Sequence, residues 1–181
     1  MCITETWLHA GINDDCISLP GFNLYRCDRI SRSGGGVCIY VQNAFRCVNV
    51  NHFAHPISVE MVSMKIPILN LFLVCTYVPP NLKASDLCEI SDTFTEMIDS
   101  LLLANPDSNI MITGDFNNFD SSVFLQQFSL HNCVIAPTRK DSFLDQIWIN
   151  SALASQYADN ASTSYMPTFE LFRSLFCYVG W

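Results

Sequence analysis

The stretch Ile110-Met111-Ile112-Thr113-Gly114-Asp115-Phe116-Asn117 joins a short, mostly apolar run to a turn that carries an acid and an amide. An apolar run bounded by turn-forming residues predicts a buried strand, and a glycine after it lets the backbone approach a neighbour closely. In α/β domains, polar residues where a buried strand meets a loop are typical of functional sites. The same residues also form ordinary strand-end turns, so the pattern is consistent with a site or with a structural turn.

Further strands and two helices flank this stretch. The run from Leu69 to Val78 is rich in β-forming residues and stops at Pro79-Pro80, which is typical of a central strand. Apolar residues recur at helical spacing after Asp86 and predict a helix that closes at Asn105-Pro106. A second helix is predicted over 122–130, and the remaining strands over 22–25, 37–41, 59–66 and 143–149. Strands dominate with helices interleaved, which indicates an α/β protein.

The composition supports one folded domain. Of the 181 residues, 50% are hydrophobic and 14% are charged, a balance that excludes global disorder. The 9 basic and 17 acidic residues give a formal net charge of −8. This charge argues against a uniformly basic surface that would coat nucleic acid or an anionic membrane. The negative excess lies in residues 51–181, because residues 1–50 balance four arginines against four acids.

Cysteine usage and apolar segments bear on location. The nine cysteines include no Cys-x-x-Cys, which argues against a zinc ribbon or a thioredoxin-like redox pair. Their odd number favours reduced thiols in an intracellular protein. Glu5 interrupts the first apolar stretch, so we expect no secretory signal. The longest apolar run is too short to span a bilayer, so we expect no membrane partner.

Two more carboxylates are candidate site residues. Glu5 precedes Trp7-Leu8, and carboxylate oxygens are the ligands that Mg²⁺ prefers, usually one or two together with retained waters. An exposed glutamate at a strand end is the simpler alternative. Asp145 lies in the largely apolar last predicted strand, between Leu144 and Gln146, and an unpaired carboxylate buried there would be costly. A paired position at a site and a solvent-facing position are both consistent with this placement.

A series of short motifs in a fixed order links these residues. In chain order they are Glu5-Thr6-Trp7-Leu8, Leu19-Pro20-Gly21-Phe22, Arg26-x-Asp28-Arg29, Gly34-Gly35-Gly36-Val37, Thr76-Tyr77-Val78-Pro79, Gly114-Asp115-Phe116-Asn117, Pro137-Thr138-Arg139 and Leu144-Asp145-Gln146-Ile147-Trp148. Over roughly residues 3–150 the chain resembles the endonuclease/exonuclease/phosphatase superfamily. Within it, the chain is most similar to the endonuclease domain of non-LTR (LINE-like) retrotransposon reverse transcriptases. We therefore expect one such domain over 1–150 and a divergent tail over 151–181.

The resemblance implies a fold and an activity. The fold is an α/β four-layered sandwich of two packed, mixed, mostly antiparallel sheets flanked by helices. The activity is hydrolysis of a DNA phosphodiester by a Mg²⁺-dependent nicking endonuclease in which Mn²⁺ can replace Mg²⁺. The implied location is the nucleus, and the implied partners are DNA and a reverse transcriptase domain of the same polyprotein. The alternatives are a phosphatase of the same superfamily and a non-catalytic remnant that keeps the fold.

The resemblance also implies a role for each site residue. Glu5 matches the metal-binding glutamate, and Tyr77 matches the tyrosine that contacts the scissile phosphate. Asp115 matches the aspartate that positions or deprotonates the attacking water. Asn117 matches the asparagine that orients phosphate and water. Asp145 matches the aspartate that holds the family's catalytic histidine.

Arginines near the glycine turn are candidate contacts to nucleic acid. Because the rest of the chain is acidic, we expect three of them to flank the pocket and bind DNA phosphates: Arg26, Arg29 and Arg32.

The chain departs from the family pattern at both ends. No asparagine-bearing strand precedes Glu5, and no Ser-Asp-His segment follows Asp145. The chain therefore resembles a fragment of the domain with terminal strands missing. The four histidines, at positions 9, 52, 55 and 131, all precede Asp145. Because the family's histidine acts on the phosphate, we expect the chain to be a poor catalyst.

Overall fold

In the computed structural model, nine strands and two α-helices occupy the described residues, which are 1–30, 34–49, 59–134, 136–150 and 153–154. In chain order these elements are β1 (Cys2–Thr4), β2 (Phe22–Cys27), β3 (Val37–Gln42), β4 (Val48–Asn49), β5 (Glu60–Ile66), β6 (Leu71–Tyr77), α1 (Ala84–Ala104), β7 (Asn109–Asp115), α2 (Ser122–Phe128), β8 (His131–Asn132) and β9 (Asp145–Ile149). The predicted tail over 151–181 lies almost wholly outside the described residues.

The strands form two sheets. The smaller sheet has the order β1-β3-β2, and the larger has the order β4-β5-β6-β7-β9-β8. Neighbours in both sheets are antiparallel, except for the parallel pair β6 and β7, which α1 connects. The register places Tyr77 beside Asp115, and Asp115 directly opposite Asp145. The ends of β6 and β7 and the start of β9 therefore share one edge of the larger sheet.

The core between the two sheets explains why β6 is apolar on both faces. Leu71 and Leu73 point toward the smaller sheet, whereas Phe72 and Val74 point toward the helices. Every residue of β6 is buried as a result, which is what a continuous apolar run predicts for a strand covered on both faces. Two packed sheets flanked by helices confirm the predicted sandwich.

Aromatic rings fill the core on the helix side of the larger sheet. The ring centroids of Phe94 on α1 and Phe124 on α2 lie 5.1 Å apart in an edge-to-face arrangement. Phe116 packs against both rings, at 6.3 Å from Phe94 and 5.8 Å from Phe124, and is fully buried. Such contacts hold a ring in place beyond simple area burial. Phe116 therefore anchors the turn that carries Asp115 and Asn117 on either side of it.

The outer face of the smaller sheet carries an irregular segment with a short 3₁₀ helix, Asp14–Cys16. Side chains of the sheet hold this segment by its backbone. The Tyr40 hydroxyl donates to the carbonyl of Ile17 at 2.7 Å, and Arg26 donates to the carbonyl of Ile12 at 2.8 Å. Within the described part of the chain, all the cysteines are free.

Two predicted boundaries shift for local reasons. The strand predicted over 143–149 begins at Asp145, because the Thr138 hydroxyl accepts the backbone amides of Leu144 and Asp145 at 3.2 and 3.1 Å. The strand predicted over 110–113 extends over Asn109–Asp115, so Asp115 is the last residue of β7.

None of the described helices is both long enough and apolar enough to cross a membrane.

Candidate active site

A cleft of about 860 Å³ opens where β6 and β7 end. Its walls come from β1 and the segment after it, from the ends of β6 and β7, and from the loop before β9. The lining residues are Ile3, Thr4, Glu5, Trp7, Tyr77, Pro80, Asp115, Asn117, Thr138, Arg139, Leu144 and Asp145. The structure thus brings together all the residues predicted for metal binding and catalysis. Their individual roles remain predictions.

Glu5 lies just after β1 in a left-handed backbone conformation, with φ of +52°. Non-glycine residues adopt this conformation only where the surroundings enforce it. Here the carbonyls of Gly36 and Gly35 accept the amides of Thr6 and Trp7 at 3.2 and 2.9 Å. The glycine turn before β3 therefore fixes the segment that presents the exposed Glu5 carboxylate to the cleft.

Tyr77 contacts Glu5 in the cleft. Its ring is buried, and its hydroxyl donates to Oε1 of Glu5 at 2.7 Å. Burial and this hydrogen bond raise the pKa of Tyr77 well above its usual range. Tyr77 is therefore a neutral hydrogen-bond donor that orients the Glu5 carboxylate.

The turn after β7 is tightly built. A Cβ at Gly114 would collide with the carbonyl oxygen of Thr76 on β6, so only glycine fits there. Asn117, with φ of +45°, donates its backbone amide to Oδ1 of Asp115 at 3.0 Å. Its side-chain amide donates to the carbonyl of Val78 at 2.9 Å. These bonds fix Asp115 and Asn117 in the cleft wall, and the role of the Gly-Asp-x-Asn pattern remains a prediction.

Negative charge accumulates in the cleft. Burial, together with the charges of Asp145 and Glu5, raises the pKa of Asp115 to about 6, while the Asn117 amide and Arg139 oppose the rise. Burial also raises the pKa of Asp145, with a contribution from Glu5. Like charges directly opposite each other on paired strands are destabilising. The site therefore holds an excess of negative charge that a proton or a cation would relieve.

The donor chemistry fits a hard cation better than a soft one. Within the described ranges, no group of three or more His, Cys, Asp and Glu side chains could enclose a metal ion by itself. Mg²⁺ does not need such a cage, because it typically takes one or two carboxylates and keeps several waters. Glu5 offers an oxygen ligand, and Asp115 and Asp145 add negative charge nearby, so Glu5 is the residue that would hold the ion.

The described arginines that were predicted to bind nucleic acid do not line the cleft. Arg29 pairs with Glu60, and Arg26 lies 3.1 Å from a carboxylate oxygen of Asp14 and 3.6 Å from one of Asp28. Both are mostly buried in these pairs, and their contact with nucleic acid remains a prediction. Arg32 lies outside the described residues.

Sequence reasoning missed two exposed side chains at the cleft. The ring of Trp7 is 64% exposed, and Arg139 is an exposed cation that faces the carboxylates. Both belong to motifs that the sequence displays, but the sequence alone does not show that their side chains are exposed. The two described histidines, His9 and His131, do not line the cleft.

Solved structures share this architecture at low sequence identity. The human Nocturnin catalytic domain with bound sulfate matches with a TM-score of 0.57 and 10% identity, over 83% of this chain and 68% of that one. An endonuclease/exonuclease/phosphatase family protein from Bacteroides thetaiotaomicron matches with a TM-score of 0.53 and 11% identity, over 76% and 62% of the two chains. This chain has the endonuclease/exonuclease/phosphatase fold.

The endonuclease domain of TRAS1, a telomere-specific non-LTR retrotransposon, is a weaker structural match. That domain matches with a TM-score of 0.49 and 13% identity, over 76% of this chain and 70% of that one, a likeness too low to carry an argument about substrate. This chain thus spans 62% to 70% of the length of these three structures. No family model and no curated protein matches the sequence. The comparisons establish the fold, and the chemistry rests on the cleft.

Proposed function

We propose that this chain is a Mg²⁺-dependent phosphodiester hydrolase of retrotransposon origin that nicks DNA in the nucleus, beside a reverse transcriptase domain of the same polyprotein. One observation carries the proposal. Residues as far apart in sequence as Glu5, Tyr77 and Asp145 line a single cleft together with Asp115 and Asn117. Convergence of oxygen ligands with a carboxylate of raised pKa is typical of a hydrolytic site.

Asp115 is the general base in this proposal. Its pKa of about 6 leaves it mostly ionised at neutral pH, yet more basic than an ordinary aspartate, as proton abstraction from water requires. Asn117 lies beside it and orients the phosphate and the attacking water. When bound at Glu5, Mg²⁺ or Mn²⁺ would neutralise charge that develops on the phosphate oxygens. Tyr77 holds Glu5 in position for that ion.

DNA is favoured over a small phosphoester by two side chains at the rim. The exposed ring of Trp7 offers a surface on which a base can stack. Arg139 supplies a positive charge for a backbone phosphate in an otherwise acidic cleft.

We expect catalysis to be slow. Asp145 matches the aspartate that holds a histidine in the family, but neither described histidine lines the cleft. Removing one member of a catalytic set commonly costs several orders of magnitude in rate. This observation also favours the second candidate, a non-catalytic remnant that keeps the metal and DNA contacts.

Plasmid nicking tests the proposal. Supercoiled plasmid is incubated with the chain and Mg²⁺ or Mn²⁺, and with EDTA as the metal-free arm. We expect slow, metal-dependent conversion to the nicked form that Glu5→Gln abolishes. The matched control Glu96→Gln changes an exposed glutamate on α1 and should retain the wild-type rate. Metal-dependent DNA binding without nicking would support the remnant, and hydrolysis of p-nitrophenyl phosphate without nicking would support the phosphatase.

A further inference from the structure

We infer that the ion pair between Arg29 and Glu60 is a positioning device for Tyr77 and the Glu5 segment, and that Arg29 does not contact phosphate. For its effect on catalysis this inference rests on the proposed function, but its structural part does not. It gives the Arg-x-Asp-Arg and Gly-Gly-Gly motifs a joint role behind the cleft.

The pair is bidentate and buried. Nε and Nη2 of Arg29 donate to the two carboxylate oxygens of Glu60 at 2.6 and 2.8 Å. The two side chains are only 14% and 6% exposed. Glu60 raises the pKa of Arg29 further, so the guanidinium is permanently charged. With this edge of the guanidinium occupied and little of it exposed, Arg29 is poorly placed to bind a phosphate.

The pair faces the residue that orients Glu5. Glu60 lies directly opposite Tyr77 in the register of β5 and β6. The guanidinium carbon of Arg29 stands 5.2 Å from the centre of the Tyr77 ring. A cation over an aromatic face is attracted to it, more strongly where water is excluded. The contacts therefore run from Glu60 through Arg29 to the Tyr77 ring, and from the Tyr77 hydroxyl to Glu5 at 2.7 Å.

Arg29 also supports the other side of the Glu5 segment. A Cβ at Gly35 would lie 2.5 Å from the guanidinium carbon of Arg29, and Gly35 has φ of +72°. Only glycine therefore allows the guanidinium to reach Tyr77 past the turn. The carbonyl of Gly35 accepts the amide of Trp7 at 2.9 Å. Arg29 thus packs against the Tyr77 ring and against the glycine turn, and both of these hold Glu5 in place.

Positioning explains why a charged pair is retained here. A buried ion pair is seldom worth more for stability than well-packed apolar residues. The planar guanidinium, however, fixes a direction that neither lysine nor an aliphatic side chain can reproduce. A site that must hold a carboxylate in one orientation gains from such a rigid support.

Glu60 separates the two explanations for Arg29. If Arg29 bound phosphate, Glu60→Gln would release the guanidinium and strengthen DNA binding. If the pair positions Tyr77, Glu60→Gln should impair the site in the same direction as Arg29→Gln. The two single variants therefore change the site in opposite directions under one explanation and in the same direction under the other.

The test compares Arg29→Gln, Arg29→Lys, Glu60→Gln and the double variant Arg29→Met/Glu60→Met, which leaves no unpaired buried charge if a single variant fails to fold. The matched control is Arg26→Gln, a comparably buried, ion-paired arginine that does not touch the cleft residues. The first readout is the Tyr77 ring resonance in protein labelled with ¹³C-tyrosine, assigned with Tyr77→Phe. The second is Mn²⁺ affinity measured by calorimetry. The third is the affinity of wild type and Glu60→Gln for a labelled oligonucleotide, measured by fluorescence anisotropy.

We expect every folded pair variant, Arg29→Lys included, to shift the Tyr77 resonance and weaken Mn²⁺ binding by about tenfold, the lower end of the effect of outer-shell partners. Arg26→Gln should do neither. An unmoved Tyr77 resonance in the folded double variant, or tighter DNA binding by Glu60→Gln, would overturn the inference. If the wild type neither binds nor nicks DNA, the proposed function fails, while the Tyr77 resonance still decides the inference.

Discussion

The two ends of strands β6 and β7 carry opposite kinds of polar group. At the end away from the cleft, neutral amide groups form hydrogen bonds across the strand starts. The Asn70 side chain donates to the Asp107 carbonyl at 2.8 Å, Asn109 to the Leu69 carbonyl at 3.1 Å and Asn150 to the Ser108 carbonyl at 2.8 Å, and the Ile110 backbone amide donates to Oδ1 of Asn150 at 3.2 Å. At the cleft end, carboxylates face one another with raised pKa values.

The two strand ends differ in whether their polar groups are satisfied by the chain itself. The polar groups at the amide end form hydrogen bonds within the chain, so they contribute to stability and need no ligand. The carboxylate end places Asp115 opposite Asp145, an arrangement that the fold tolerates and that a bound cation would improve. Carboxylates that destabilise the fold by mutual repulsion indicate a candidate site, because a purely structural role does not require them.

The largest effect should come from Asp115→Asn. Loss of the proposed general base should lower the nicking rate by about 10² to 10⁴-fold, measured on supercoiled plasmid with Mn²⁺ at neutral pH. Asp99→Asn, an exposed aspartate on α1, serves as the control and should retain the rate. Equal rates for Asp115→Asn and wild type would remove the functional distinction between the two strand ends.

Trp7→Ala should weaken DNA binding by about tenfold, because stacking on an aromatic ring is worth roughly 1–3 kcal/mol per base. Fluorescence anisotropy with a labelled oligonucleotide at fixed salt measures it. Trp7→Phe should retain most of the affinity. Leu103→Ala removes an 87% exposed side chain outside the cleft and should change nothing. If Trp7→Ala and Leu103→Ala behave alike, the exposed ring has no part in binding.

At the amide end, Asn150→Ala should lower the free energy of unfolding by about 1–3 kcal/mol, because it leaves the Ile110 amide and the Ser108 carbonyl without their partner. Urea denaturation measures this loss. Mn²⁺ affinity of the folded variant should equal that of wild type. A loss of metal affinity without a loss of stability would mean that the two ends are not independent.

Much of the fold was predictable because its signals are local. The continuous apolar run of β6 and the helical spacing of apolar residues in α1 are both visible within a short stretch of sequence. Each pattern corresponds to the buried residues of its element. The motif order also indicated which acids would share a cleft. Their shared edge depends on the parallel pairing of β6 and β7, which no local pattern encodes.

Arg29 makes a contact that the sequence pattern does not reveal. Arg29 lies in the Arg-x-Asp-Arg motif close to the glycine turn. Its positive charge alone favours a phosphate contact. Its partner Glu60 lies 31 residues away, in a strand whose pattern gives no reason to expect a buried acid. Whether a charge is free or paired depends on such long-range contacts. Trp7 is the reverse case. Its ring is exposed at the cleft, but nothing in the sequence distinguishes an exposed ring from a buried one.

The smallest effect is the pH dependence of stability at the cleft. The pKa of Asp115 is raised from 3.8 to about 6 in the folded chain, so the folded state binds the proton more tightly than the unfolded state. The stability that this proton contributes is complete below about pH 4 and is lost as pH rises through about 6. Without divalent metal, wild type should therefore lose stability across this window more steeply than Asp115→Asn.

At pH 8 Asp115→Asn should be the more stable protein by about 1 kcal/mol, a value reduced from the full linkage because Asp115 is partly exposed to solvent. Urea denaturation at pH 4.5 and pH 8 in EDTA measures the difference. Mg²⁺ should narrow the gap at pH 8 by stabilising wild type alone, and should have little effect at pH 4.5, where the proton competes for the carboxylate. Parallel loss of stability in both proteins would show that the carboxylate end carries no excess charge, and the contrast with the amide end would fail.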